Sequence, residues 1–207
     1  VKGDMGRSYT SNRSVSAEIF ARIPITLKLA FLAVGLSTLI ALPLGTIAAI
    51  KQYSILDNVS MIFSLAGISM PNFWFGLLLM LLFSLKLGWL PSSGIIDWKS
   101  YILPAITMSL NGTATIARMM RSSMLEVIRQ DYIRTARAKV LSEWKVITKH
   151  ALKNSLIPVL TVLGIQVGRT LGGAIVTESI FSIPGLGSLM VNSIRAKNFP
   201  SIQGSVL

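Results

Sequence analysis

The sequence predicts an all-α fold, a polytopic bundle of membrane-spanning helices. Three observations carry that expectation. Of 207 residues, 52% are apolar and only 14% charged, with a mean hydropathy of +0.64, whereas soluble domains carry about 25% charged residues. Four stretches run for about 20 residues with almost no charge, the length a helix needs to cross a hydrocarbon layer about 30 Å thick. The basic residues, 20 Lys and Arg against 8 acids, crowd into one connection between two of those stretches. In a soluble chain such an excess would suggest phosphate neutralisation and a nucleic-acid partner. In a membrane chain it sets orientation, so no nucleic-acid partner is expected. No cysteine is present, which excludes a disulfide framework, a thiolate nucleophile and a cysteine metal site.

The chain opens with the polar segment "VKGDMGRSYTSNRSVSAE", unlike a secretory signal with its short basic head and apolar core. The first run is "LAFLAVGLSTLIALPLGTIAAI" (29–50) and the second "NVSMIFSLAGISMPNFWFGLLLMLLFSL" (58–85), both without charge. The third, "SYILPAITMSLNGTATIA" (100–117), is more polar but uncharged, and the fourth, 155–177, is interrupted only by Arg169. Four helices buried in a soluble protein would leave too little polar chain to cover them. Between the third and fourth runs, residues 118–153 hold nine Lys and Arg against three acids, which assigns that loop to the cytoplasm. Counting outward places 51–57 inside as well, and 1–22, 86–99 and 181–200 outside. Lys2, Arg7, Arg13 and Arg22 count against this orientation, but the larger cluster flanks two spans directly. The expected organisation is an extracytoplasmic segment over 1–22, a transmembrane domain over 23–180 with a cytoplasmic loop at about 125–155, and an outer loop with the start of a further span over 181–207.

The cytoplasmic loop reads "DYIRTARAKVLSEWKVITKHALKNSLIP" over 131–158. Tyr132, Ala136 and Lys139 follow a helical spacing, and so do Trp144, Ile147 and Ala151, which predicts two short helices meeting near Val140. Ser142 suits an N-cap, although Lys145 stands where a capping box would have Glu or Gln. By composition, such a basic amphipathic pair could lie on anionic membrane lipid or dock to a partner protein.

The segment resembles the cytoplasmic EAA loop of ABC importer permeases, most closely the branch that carries dipeptides, oligopeptides and nickel. "GDMGRSY", "LPLGTIAAIKQYSILD", "SMPNFWFG", "GWLPSSG", "YILPAITMSL" and "FSIPGLGSLMVNSIRAKNFPSIQG" are similar to stretches of those permeases in the same order, so the likeness covers essentially the whole chain. It implies the type I permease fold in a prokaryotic inner membrane. The family has six spans, and the chain is expected to lack the first and last. The implied partners are a second permease subunit, two cytoplasmic ATPase subunits that bind ATP and Mg, and an extracytoplasmic solute-binding protein. The loop would be the docking element, with Arg134, Arg137, Lys139 and Glu143 as polar contacts, Ala136, Ala138 and Leu141 packing closely, and Val140 and Ser142 at the turn between the helices. Where the family has Gly, this chain has Val140, and a left-handed backbone there would cost a β-branched residue roughly 1–2 kcal/mol.

Catalytic chemistry is poorly provided for. The chain has one His, and its eight acids are scattered, so no triad, metal cluster or carboxylate pair forms from a local motif. No Gly-Lys-Ser/Thr phosphate loop occurs, so no cofactor is expected in this chain. A passive channel and a membrane-embedded enzyme are the rival readings. Candidates for a solute pathway are Arg169, which carries an insertion penalty of about 2.5–3.5 kcal/mol at mid-span, Asn72 beside Pro71, and Asn111 in "MSLNGTATIARMM". Helix packing is the competing explanation for the two asparagines.

Overall fold

A computed structural model describes residues 5–206 and is built from helices. Lys2, Asp4 and Leu207, counted with the terminal segments above, lie outside the described residues. Helix α1 runs over Val15–Ile50, α2 over Ile55–Ser69, and α3 over Asn72–Leu79, which continues as a π-helical stretch, Met80–Lys86. A capped 3-10 turn, Trp98–Tyr101, leads into α4, Ile102–Ile128. Next come α5, Asp131–Ala138, the short α6, Glu143–Lys145, a π-helical stretch, Val146–Ala151, and α7, Leu152–Ile180. Helices α8, Leu186–Arg195, and α9, Phe199–Val206, close the chain.

Three of the expected runs change shape. The first begins 14 residues earlier than the uncharged stretch, because Glu18, Arg22 and Lys28 are carried on the same unbroken helix. The second is two helices: Met70 and Pro71 are both extended (ψ 123° and 130°), and Pro71 caps α3. A proline there removes a backbone donor and biases the residue before it away from helix. The third, α4, is not among the helices apolar enough to cross a membrane alone. That test is met by Val15–Ile50 and Glu143–Ile180, and jointly by Ile55–Ser69 with Asn72–Lys86. Helix α4 tolerates its Ser, Thr and Asn because it is enclosed by protein: Leu103, Thr107, Met108, Ile116, Ala117, Met120 and Met124 are all buried.

The chain divides into two compact units. Unit 1 comprises residues 1–33, 71–108 and 169–207, and unit 2 comprises 34–70 and 109–168. Unit 1 therefore gathers the segments that loop charge assigns to the outside, and unit 2 holds the two assigned to the inside. The core of unit 1 joins Leu29, Tyr101, Leu103, Ala174, Phe181 and Ile183. The core of unit 2 joins Ala41, Ile116, Met120, Ile133, Val146 and Val159. Large apolar side chains such as Phe31, Leu39, Phe63 and Leu160 are left exposed. Patches of that kind mark contact with lipid or another subunit.

Candidate functional site

The cytoplasmic loop is part of unit 2. Helix α5 starts with Asp131, whose charge suits a helix N-terminus. It presents Ile133 and Ala136 inward, 0% and 8% exposed, into the core shared with α4 and α7. It ends where the Lys139 N–H donates to the Thr135 carbonyl at 3.2 Å and the Val140 N–H to the Arg137 carbonyl at 2.9 Å. Val140 has φ +56°, so the left-handed turn anticipated from the missing Gly is present with a β-branched residue in it. Across this turn the Arg137 guanidinium pairs with the Glu143 carboxylate at 2.7 Å.

Two expectations need correction. Beyond the turn the second helix is not a separate short piece, because Glu143–Ile180 is continuous. No proline or glycine lies between Ser142 and Asn154 to stop it, and Pro158 is accommodated within α7. Ser142 stands at the N-cap in extended conformation, but its side chain makes no cap hydrogen bond. Ala136 packs against this chain rather than facing out. The outward face is Tyr132, Arg134, Ala138, Lys139, Val140, Leu141 and Trp144, with Val140 92% and Trp144 75% exposed.

One feature escaped the sequence reading. The Asp57 side chain, 2% exposed, receives two bonds from Arg121 of α4, Nε to Oδ1 at 2.5 Å and Nη2 to Oδ2 at 2.6 Å. The Tyr53 N–H adds a third at 2.9 Å, and Ser54 caps α2 by accepting from the Asp57 N–H. Hydrogen bonding from Arg121 holds the Asp57 carboxyl below the usual carboxylate range, and the same bond raises Arg121. The signal was available as opposite charges at the ends of two spans, in loops assigned to one side. It ties the first cytoplasmic loop to α4, seven residues before the turn that leads to α5.

Of the pathway candidates, Arg169 and Asn72 belong to unit 1 and Asn111 to unit 2. Arg169 is exposed on α7 and forms no ion pair among the described residues. In unit 1 the Asn72 Oδ1, and in unit 2 the Asn111 Oδ1, is buried without a donor. Glu178 is fully buried in unit 1, far along the helix from Arg169. Its Oε1 accepts from the Thr26 hydroxyl at 2.6 Å and its Oε2 from the Ser188 N–H at 3.0 Å. The carboxylate thus caps the start of α8, where helix dipole and free N–H groups stabilise an anion. Its bulk also explains Gly185, where an added Cβ would collide with the carboxylate, while at Gly187 a Cβ would collide with the Ile175 backbone.

The family description "Binding-protein-dependent transport system inner membrane component" matches residues 41–207. The di/tripeptide transport system permease protein DppB of Pseudomonas aeruginosa (strain UCBPP-PA14) is 43% identical, covering all of this chain and 70% of that protein. The glutathione transport system permease protein GsiC of Escherichia coli (strain K12) is also 43% identical, covering all of this chain and 68% of that protein. Among solved structures, the MetNI methionine ABC transporter in an inward-facing conformation superposes with a TM-score of 0.75 at 17% identity, over 92% of this chain and 87% of that one. An amino acid ABC transporter with histidines gives 0.70 at 16%, over 92% and 86%.

Proposed function

The chain belongs to the family of binding-protein-dependent transport inner membrane components, and on that premise we propose that it forms part of the pathway by which a short peptide enters the cell. It is a permease component with no catalytic part of its own, seated in the inner membrane. The relatives carry di/tripeptides and glutathione, so a peptide rather than nickel is the proposed solute. A second permease subunit would complete the pathway, a binding protein would deliver the solute outside, and two ATPase subunits holding ATP and Mg would drive the cycle. Arg169, Asn72 and Asn111 are the proposed polar contacts along the way. Membership in this family disfavours a channel or a membrane enzyme.

The observation that carries ATPase coupling is the two-sided loop. Ile133 and Ala136 fasten α5 to the core of unit 2, while Val140, Leu141 and Trp144 remain exposed at its tip. Exposed apolar groups rimmed by Arg134 and Lys139 suit a protein cleft. Closure of the ATPase would then move α4 and α7 as rigid elements. The test replaces Leu141 and Trp144 together by Glu in the complete transporter. The ATPase should no longer co-purify and uptake should fall at least tenfold, with insertion unchanged. Normal co-purification and uptake would refute docking at this tip.

A further inference from the structure

Unit 1 carries an open cavity of about 420 Å³, within the roughly 300–1,000 Å³ of small-molecule sites. Arg22 of α1, Glu178 and Ser179 of α7, and Ser188, Asn192 and Arg195 of α8 line it. We propose that this cavity binds a carboxylate, presented by the solute or by an acidic side chain of the binding protein. Its extracytoplasmic placement rests on the permease reading above.

Neither Arg22 nor Arg195 forms an ion pair among the described residues. Glu18, one helical turn before Arg22, is engaged by the Ser11 hydroxyl at 2.5 Å. Glu178 is the one acid in the lining, and it is committed elsewhere: each oxygen has a donor from Thr26 or Ser188, and the group is packed against Gly185 and Gly187. Turning it toward a guanidinium would uncap α8. Two cations therefore share the cavity with one sequestered acid, and Ser179 and Asn192 add polar groups at an exposed rim. The guanidinium fork matches a carboxylate with two parallel hydrogen bonds.

The test uses the complete transporter in lipid nanodiscs. The 207 residues hold no cysteine, so Asn192→Cys, with Ser179→Cys as a second reporter, provides a single thiol here once any cysteine elsewhere is replaced. A negatively charged methanethiosulfonate should react at least tenfold faster than a positively charged one. That ratio should collapse toward one in Arg22→Gln/Arg195→Gln and return in Arg22→Lys/Arg195→Lys. Acetate or glycyl-leucine should slow labelling, and glycyl-leucine amide should not. Protection by the free dipeptide assigns the carboxylate to the solute, and protection only on adding the binding protein assigns it to that protein. A ratio indifferent to the glutamines, equal protection by the amide, or stronger protection by inorganic phosphate overturns the proposal. Peptide uptake, measured in parallel, tests the transport reading separately, since the labelling ratio does not depend on turnover.

Discussion

At the scale of the residue, Val140 and Asp57 make opposite demands. A left-handed backbone costs a residue with a Cβ roughly 1–2 kcal/mol, and the β-branch of Val140 adds crowding. Glycine removes that strain but restores freedom to the unfolded chain, offsetting about 0.5–1 kcal/mol. Val140→Gly should therefore stabilise the turn by about 1 kcal/mol, read as roughly fivefold slower amide exchange over residues 138–143, whereas Val140→Ala should gain much less. Asp57 is stabilised by partners instead. Asp57→Asn leaves Arg121 without its counter-charge in a nearly buried position, a loss of about 3 kcal/mol. Because the folded carboxyl titrates below its ordinary value, its contribution is complete above the unfolded value near 3.9 and disappears as pH falls through the folded one. The gap in melting temperature between the wild type and Asp57→Asn should thus stay constant from pH 5 to 8. A gap that narrows within that window would show the pair to be weaker than its geometry.

At the scale of the element, close helix approach depends on single glycines. A Cβ on Gly45 of α1 would collide with the Ala117 carbonyl and come within 2.7 Å of the Met120 Cβ, so α1 and α4 of unit 2 approach backbone to backbone there. Gly45→Ala should cost about 1–3 kcal/mol by overpacking and lower the melting temperature of the purified subunit. Gly168→Ala, where a Cβ meets nothing within this chain, should leave it unchanged. Legibility followed the same distinction between local and distant causes. The α5 turn at Val140 and the apolar character of the runs were readable because each follows from residues within a few positions, whereas 58–85 was read as one run although Pro71 divides it. The continuity of Glu143–Ile180 was missed because the helix through Trp144, Ile147 and Ala151 was read as ending before the apolar run at 155–177. The enclosure of α4 and the inward face of Ala136 were not legible, since each depends on residues distant in the chain. Of the Asp57–Arg121 pair the sequence offered only the opposite charges, not their contact. Glu178 illustrates this most fully: its partners Thr26 and Ser188 lie 152 and 10 residues off, and no periodicity connects them.

At the scale of the whole molecule, the question is what Arg169 meets. An arginine in the apolar stretch of a span carries an insertion penalty of about 2.5–3.5 kcal/mol unless water or a partner receives it. Among the described residues it has neither carboxylate nor shelter: it is exposed on α7, and Glu178, nine residues on, is sequestered at the start of α8. Nine residues make two and a half turns, which sets the two side chains on roughly opposite faces. On either side of Arg169, Gly168 and Gly172 leave open space where a Cβ would stand, so a neighbouring subunit or a solute can approach the backbone closely. Lipid alone would leave the charge unmet, which makes the pathway or the second permease subunit the expected surrounding. Arg169→Leu should insert normally and fall at least fivefold in uptake of anionic peptides, with neutral ones less affected. Arg169→Cys in the assembled transporter should react with a water-soluble thiol reagent in at least one nucleotide state. Should that cysteine stay unreactive in every state while Arg169→Leu transports normally, the arginine belongs to helix packing and not to the route of the solute.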